Sequence, residues 1–272
     1  EMRSLDAMGY NAETTDPLYK HWPYYQVVNS EGVHYGLYYD NLNTSRFDMG
    51  CELDNYPPRY RSYRAEGGDL DYYLIHGENI AVVTKRFLHL TGKNTFPPKW
   101  SLGYSGSTMS YTDAPDAQDR LQHFIRDIRA HAIPCDSFQL SSGYTSINGK
   151  RYVFNWNRDK FPDPKACFAA YHDAGVRLAA NIKPCLLHDH PRYQEAAQQG
   201  LFIRASDSDA PEESMFWDDT GSHLDFTNPA TGAWWQKNIR EQLIDYGIDA
   251  TWNDNNEYEI WDSDARCHGF GS

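Results

Sequence analysis

Gly247-Ile248-Asp249-Ala250-Thr251-Trp252-Asn253-Asp254-Asn255-Asn256-Glu257 is the stretch on which the fold turns. A helical pattern over Trp234 to Tyr246 stops at Gly247, a short β-like run from Ile248 to Trp252 follows, and the polar residues Asn253 to Glu257 come directly after it. Glycine just past a helical run closes a helix in left-handed geometry, and a short apolar run bounded by Gly and Asn/Asp marks a strand. Helix, glycine, strand and then acids is the order of a parallel β/α unit. In α/β barrels the residues that do chemistry sit at the C-terminal ends of the strands, so Asp254 and Glu257 are site candidates by position. The same run also reads as a polar loop rich in Asp/Asn turn residues, and spacing alone does not separate the two.

Upstream, from Lys99 on, strands alternate with helices. The pattern predicts strands over Trp100 to Ser105, Ser137 to Leu140 and Val176 to Ile182, the last stopped by Lys183-Pro184. Between them it predicts a helix over about 114–132, with Leu121, Phe124, Ile125 and Ile128 on one face, a helix over Pro164 to Ala174, and a short one over Tyr193 to Gln199. With Ile248 to Trp252 this makes about half of an eight-stranded barrel. Before Pro97-Pro98 the texture is all-β: Tyr24 to Val28, His34 to Tyr39 and Asp71 to Ile75, with turn clusters such as Asn29-Ser30-Glu31-Gly32, closed by a helix near Asn79 to Leu90. The expected fold class is therefore α+β and α/β. Residues 1–95 form part of an N-terminal β-sandwich, and residues 96–272 form the first half of a (β/α)8 barrel. Half a barrel leaves an open sheet edge and an incomplete core, so the chain is expected to be a piece of a longer protein.

A net charge of −13 argues against nucleic acid and anionic membranes as partners. Twenty Tyr and eight Trp suit a protein that stacks sugar faces on rings, a bias that many soluble proteins share. The five cysteines contain no C-x-x-C pair and read as free thiols in a reducing compartment. No stretch reaches the roughly 18 apolar residues of a membrane span, and the expectation is a soluble cytoplasmic protein. His188-Asp189-His190 offers two imidazoles without a third ligand, so no metal is expected.

The segment 252–257 resembles the nucleophile region of glycoside hydrolase family 31, where a strand ends in a Trp-x-Asp-x-Asn-Glu pattern, met here by Trp252, Asp254, Asn256 and Glu257. Asp16-Pro17-Leu18-Tyr19-Lys20, Phe96-Pro97-Pro98-Lys99-Trp100, Phe161-Pro162-Asp163-Pro164, Asn181-Ile182-Lys183-Pro184 and Leu224-Asp225-Phe226-Thr227-Asn228-Pro229 resemble further blocks of that family, in the same order. The resemblance implies a retaining, exo-acting α-glycosidase that hydrolyses a terminal α-linked sugar, most often an α-glucoside, without metal or other cofactor. Transglycosylation and non-catalytic sugar binding are the alternatives.

Retaining glycosidases use two carboxyls about 5–5.5 Å apart, one as nucleophile and one as acid/base. The resemblance implies Asp254 as the nucleophile and Glu257 in support, holding a sugar hydroxyl or orienting the site. It implies an acid/base on a later strand, outside this chain, so these residues alone are expected to be inactive. It implies Asp16 on a loop reaching over the barrel mouth, although Asp before Pro is also an ordinary turn, and Trp156 in an aromatic site wall, although a core indole reads equally well. Lys183, directly after a strand, is placed to meet a carboxylate or a sugar oxygen. Asp225 is a further substrate-binding candidate, or a helix or turn cap.

Two departures bear on the sugar. Where the family carries Leu-Asp-x-Asp-Tyr, this chain has Leu140-Ser141-Ser142-Gly143-Tyr144, and an Arg-Trp pair of the family appears as Thr108-Met109. Loss of carboxylates that grip sugar hydroxyls removes selectivity for their configuration. The substrate is thereby left open among α-glucosides, α-galactosides, α-N-acetylgalactosaminides and α-xylosides.

Overall fold

The computed structural model describes residues 5–6, 8–15, 21–52, 56 and 58–269. The chain divides into two compact units, Glu1–Phe96 and Pro97–Ser272.

The first unit contains β1 (Tyr24–Val28), β2 (His34–Tyr39), β3 (Ser45–Asp48), β4 (Ser62–Ala65), β5 (Tyr72–Gly77) and the helix α1 (Ile80–Thr91). Strands β1, β2 and β5 form an antiparallel sheet with β2 in the middle, and β3 pairs with β4. Successive side chains of a strand point to opposite faces. Tyr38 of β2 therefore meets Phe87 of α1, ring centroids 5.5 Å apart, while Tyr39 stacks on Tyr63 of β4 at 3.8 Å. Asn79 starts α1 by accepting the Val82 N–H at 3.0 Å. The helix then closes on the sheet through the fully buried Val83. Glycine at 36 and 77 is what allows that approach, since a Cβ at either position would stand 3.1 Å or 2.9 Å from a Val83 methyl.

The second unit begins with β6 (Ser105–Ser107), α2 (Met109–Thr112), α3 (Ala117–Ala130), β7 (Ser137–Leu140), β8 (Ser146–Ile147), β9 (Lys150–Arg151) and α4 (Pro164–Asp173). It continues with β10 (Arg177–Ile182), β11 (Cys185–Leu187), α5 (Tyr193–Gln198), β12 (Ser214–Met215), β13 (Thr220–His223), α6 (Pro229–Gln242) and β14 (Ala250–Asn253). Strands β6, β7, β10 and β14 pair in parallel and in chain order, as consecutive staves of a barrel do. Helices α3, α4 and α6 supply the apolar layer, packing Leu121, Ile125, Phe168, Tyr171 and Trp234 around Phe138, Leu178, Ala180 and Ile182. Parallel strands covered on both faces carry continuous apolar runs, and β10 is buried from Leu178 to Ile182.

Two of the sequence blocks turn out to be helix starts. Asp163 accepts the Ala166 N–H ahead of Pro164, and Asn228 accepts the Ala230 N–H ahead of Pro229. The first parallel strand lies later than its expected position. Lys99–Leu102 forms a 3₁₀ turn, and the strand is Ser105–Ser107. Its Gly106 is enforced by packing, because a Cβ there would come within 2.8 Å of Phe124 and 2.9 Å of Phe138.

At the N-terminal end of the β10–β14 pair, Asp249 acts as a clamp. Its carboxylate accepts the Leu178 N–H at 2.9 Å and an Arg177 N–H at 3.0 Å and lies 2.8 Å from His172 Nε2, while its own N–H donates to Leu178 O. The side chain is only 17% exposed. Asp249→Ala removes the acceptor for all three groups and is expected to cost on the order of 2 kcal/mol. Urea unfolding of the full-length protein followed by tryptophan fluorescence measures this, and an unchanged midpoint would contradict the clamp.

Candidate active site

Residues two apart on a strand share a face, so Asn181 and Lys183 at the end of β10 point the same way. The parallel register sets Ile182 against Asn253, and the Asp254 N–H continues the ladder to Ile182 O at 2.9 Å. Asp254 is thereby delivered beside both side chains at the C-terminal end of the sheet. Lys183 Nζ donates to Asp254 Oδ2 at 2.6 Å, and Asn181 Nδ2 donates to the same oxygen at 2.9 Å. Lys183 also bonds Asn255 Oδ1. Asn181 is buried, and its Oδ1 has no hydrogen-bond partner among the described residues. Turning the amide over would set that oxygen against the carboxylate, so the residue is held for its donor. The Tyr144 hydroxyl, fully buried, donates to Asn181 O at 2.9 Å and braces the strand end from below.

The Asp254 side chain is 32% exposed and that of Lys183 19%. Burial, the largest single influence on Asp254, disfavours its charged form. The Lys183 hydrogen bond and charge, the Asn181 bond and the Asn255 N–H together outweigh it and hold the carboxyl below the usual carboxylate range. The cluster is thus an ionised, oriented carboxylate that meets solvent, the state required of a nucleophile or an electrostatic anchor.

The loop that leaves Asp254 is supported from behind. Tyr258 adopts a left-handed backbone (φ 56°), which costs on the order of 1 kcal/mol for a residue with a Cβ. Its hydroxyl donates to Leu224 O at 2.9 Å, and its ring stacks on His223 at 4.8 Å. His223 is itself buried, with Nδ1 2.8 Å from the buried Glu212. Burial opposes the charge on Glu212, but the His223 side chain and N–H and the Ser214 hydroxyl prevail and hold its carboxyl low. A buried acid and imidazole thus form the floor under the segment that carries Asp254.

The other candidates separate. Glu257 lies three residues past Asp254 at a bend and is partly exposed. Trp156 does not form a wall of this cluster. It is 6% exposed among Tyr144, Phe161, Phe168 and Tyr246, and its one N–H donates to Gln242 O at 2.8 Å, so its apolar area and its single donor are both spent in the core. Asp225 is likewise engaged away from this cluster. Its carboxylate is buried and accepts the Thr227 N–H and hydroxyl and the His268 N–H, which makes it the fastener of a turn. Asp16 lies outside the described residues. Asn181 was not singled out by sequence reasoning, although its two-residue spacing from Lys183 is the signal that finds it.

His190 donates from Nε2 to Val153 O and accepts the Arg192 N–H on Nδ1, and burial pushes it down to about 4, so both ring nitrogens are committed to the fold. Among the described residues no group of three or more His, Cys, Asp or Glu is placed to hold a metal ion, and no helix is long and apolar enough to cross a membrane.

The chain is similar to known proteins in sequence and in fold. Residues 94–269 match the model of the glycosyl hydrolases family 31 TIM-barrel domain, and residues 1–48 that of the glycosyl hydrolase 31 N-terminal galactose mutarotase-like domain. Alpha-glucosidase 2 of Bacillus thermoamyloliquefaciens is 31% identical over 262 residues, which are 96% of this chain and 31% of that protein. Alpha-xylosidase XylQ of Lactiplantibacillus pentosus is 28% identical over 87% of this chain and 29% of its own length. The chain therefore spans about a third of the curated relatives it matches. Among solved structures, a family 31 alpha-glucosidase from Bacteroides thetaiotaomicron superposes with a TM-score of 0.73 at 25% identity, over 91% of this chain and 40% of that one. The Flavobacterium johnsoniae GH31 dextranase FjDex31A, solved with glucose, gives 0.79 at 23% identity over 94% of this chain and 31% of that one, a likeness of fold. With the barrel model matching well over half of its residues, the chain belongs to glycoside hydrolase family 31.

Proposed function

We propose that the protein carrying this chain is a retaining α-glycosidase that removes a terminal α-linked sugar, with α-glucosides as its first substrates and Asp254 as its nucleophile. The observation that carries this reading is the ionised Asp254 carboxylate, fixed through one oxygen at the C-terminal end of a barrel strand. A carboxylate oxygen attacks the anomeric carbon and the bond to the leaving oxygen breaks. That oxygen takes a proton from a second carboxyl, and water, deprotonated by the same group, then releases the sugar with its configuration retained. Lys183 and Asn181 keep the nucleophile charged and aimed, and Glu257 is assigned a supporting contact.

The side-chain partners of Asp254 among the described residues are an ammonium and an amide, and neither is the carboxyl that protonates the leaving oxygen. The names of the relatives, alpha-glucosidase and alpha-xylosidase, fit the bond class. The absence of acids at 141 and 143 favours a second reading of the sugar, in which a galactoside, an N-acetylgalactosaminide or a xyloside replaces the glucoside.

The test is hydrolysis of aryl α-glucoside, α-galactoside, α-N-acetylgalactosaminide and α-xyloside by the full-length protein. At least one is expected to be cleaved, with Asp254→Ala lowering kcat by roughly four orders of magnitude or more. Turnover that survives this substitution would refute the assignment.

A second expectation concerns pH. With Lys183 present the Asp254 carboxyl ionises below its ordinary value of about 4, so the pair stabilises the fold at neutral pH and that contribution disappears as pH falls through the depressed value. Lys183→Met leaves burial dominant and is expected to move the acid limb of kcat/KM to higher pH. A limb that stays in place would show that Lys183 does not set the charge.

A further inference from the structure

The loops that follow β6 and β7, at the same end of the sheet as Asp254, border an open cavity of about 260 Å³ lined by Asp113, Ser146, Asn148, Arg151, Asn157 and Lys160. Its side chains are a carboxylate, a guanidinium, an ammonium, two amides and a hydroxyl, a set of donors and acceptors without an apolar wall.

The charged members are incompletely matched to one another. Arg151 is anchored elsewhere, its Nη1 and its backbone N–H both donating to the Asp218 carboxylate at 2.8 and 2.9 Å. That anchorage leaves Nη2 3.7 Å from Asp113 Oδ1, too long for a hydrogen bond. Lys160 Nζ donates to neutral oxygens, Ser146 Oγ at 2.9 Å, Gly143 O at 3.4 Å and Thr112 O at 3.5 Å, and has no ion pair among the described residues. Asp113 stands where it does because residue 143 is glycine. A Cβ at 143 would collide with Asp113 Oδ1 and lie 2.7 Å from the Thr112 carbonyl carbon and 2.8 Å from the Asp113 nitrogen. The carboxylate therefore fills the space that a side chain at 143 would need. The next residue, Tyr144, braces Asn181, which in turn holds Asp254, so the loop that carries Gly143 also carries part of the nucleophile's support.

We propose that this cavity is a subsite for vicinal hydroxyls of the substrate pyranose, and that Asp113 is the residue that selects their configuration. Its carboxylate accepts from the hydroxyls while Arg151 Nη2 and Lys160 Nζ donate to their oxygens. A ligand offering donors and acceptors together satisfies all three charged groups, whereas a purely anionic group would face Asp113. The inference rests on the α-glycosidase reading and adds to it the residue that decides which sugar is taken.

The test uses the full-length protein with Asp254→Asn, so that sugar binds without turnover, in the presence and absence of Asp113→Asn. Titration calorimetry measures binding of methyl α-glucoside, methyl α-galactoside, methyl α-N-acetylgalactosaminide and methyl α-xyloside. Asn keeps the volume beside Gly143 but loses the charge. The tightest-binding sugar is expected to lose about 10- to 100-fold in affinity, the typical weight of a hydrogen bond to a charged group, while the poorest binders change little and the melting temperature holds. Gly143→Ala, which displaces Asp113, is expected to compress the ranking of the four sugars in the same way. Equal affinities with and without Asp113→Asn, a uniform loss accompanied by a lower melting temperature, or a protein that binds none of the four would each overturn the proposal. If hydrolysis depends on Asp254 while Asp113→Asn leaves sugar preference untouched, this inference falls and the glycosidase reading stands. If hydrolysis survives Asp254→Ala, it is the glycosidase reading that falls.

Discussion

The parallel register between β10 and β14 is the constraint on which the site depends. It sets Ile182 against Asn253, so the residues just past that pair, Lys183 and Asp254, emerge side by side. Side chains alternate with a period of two, so a slip of one residue would turn Asn181 and Lys183 away from the carboxylate. The register is tied at both ends by acids. Asp249, at the start of β14, is enclosed by a guanidinium, an imidazole and a backbone N–H, while Asp254, at its end, is held through one oxygen and remains a third exposed. Two aspartates that flank one strand thus do different work, one closing the sheet and the other facing outward from it.

The loops above the sheet are positioned by ion pairs between neighbouring insertions. Lys150 of the β8–β9 hairpin lies between Asp189 and Asp219 at 2.7 and 2.5 Å, and Arg151 holds Asp218. Exposed pairs of this kind add little stability each, but they tie the insertion after β7 to the insertion after β10. The walls of a polar cavity are thereby fixed before any ligand arrives, and pre-organisation of this sort is what lets a few polar groups discriminate between sugars. In a chain with a net charge of −13, the few cations at this end of the sheet, Lys150, Arg151, Lys160 and Lys183, are each placed against an oxygen that matters.

Much of this was legible in the residues, and the misses have physical reasons. Tyr24–Val28, His34–Tyr39 and Ser137–Leu140 are strands at their expected bounds because apolar or aromatic periodicity marked them. The first parallel strand was displaced because Ser105-Gly106-Ser107 carries no apolar signal. Its glycine answers to two phenylalanine rings that only the tertiary fold brings together. The antiparallel sheet of β11, β13 and β12 is built from strands of two to four residues, and its β11–β13 pairing joins segments distant in sequence. That Asp254 and Lys183 meet at one end of the sheet followed from their places past strand ends. Trp156 and Asp225 were residues of the right chemical type, but their hydrogen bonds are taken up by the core and by a turn, and burial is not written in residue type. Asp113 and Gly143 are thirty positions apart, and only the folded backbone shows that one makes room for the other.

The central claim is that Asp254 forms the covalent bond to the sugar. The most direct measurement is to trap that bond on the full-length protein with an activated 5-fluoro-α-glycosyl fluoride of the accepted sugar, digest it, and locate the label by mass spectrometry. The account predicts a single glycosyl mass on the peptide that carries Asn253-Asp254-Asn255, lost in Asp254→Ala. A label on any other carboxylate, or inactivation with Asp254 unmodified, would contradict it.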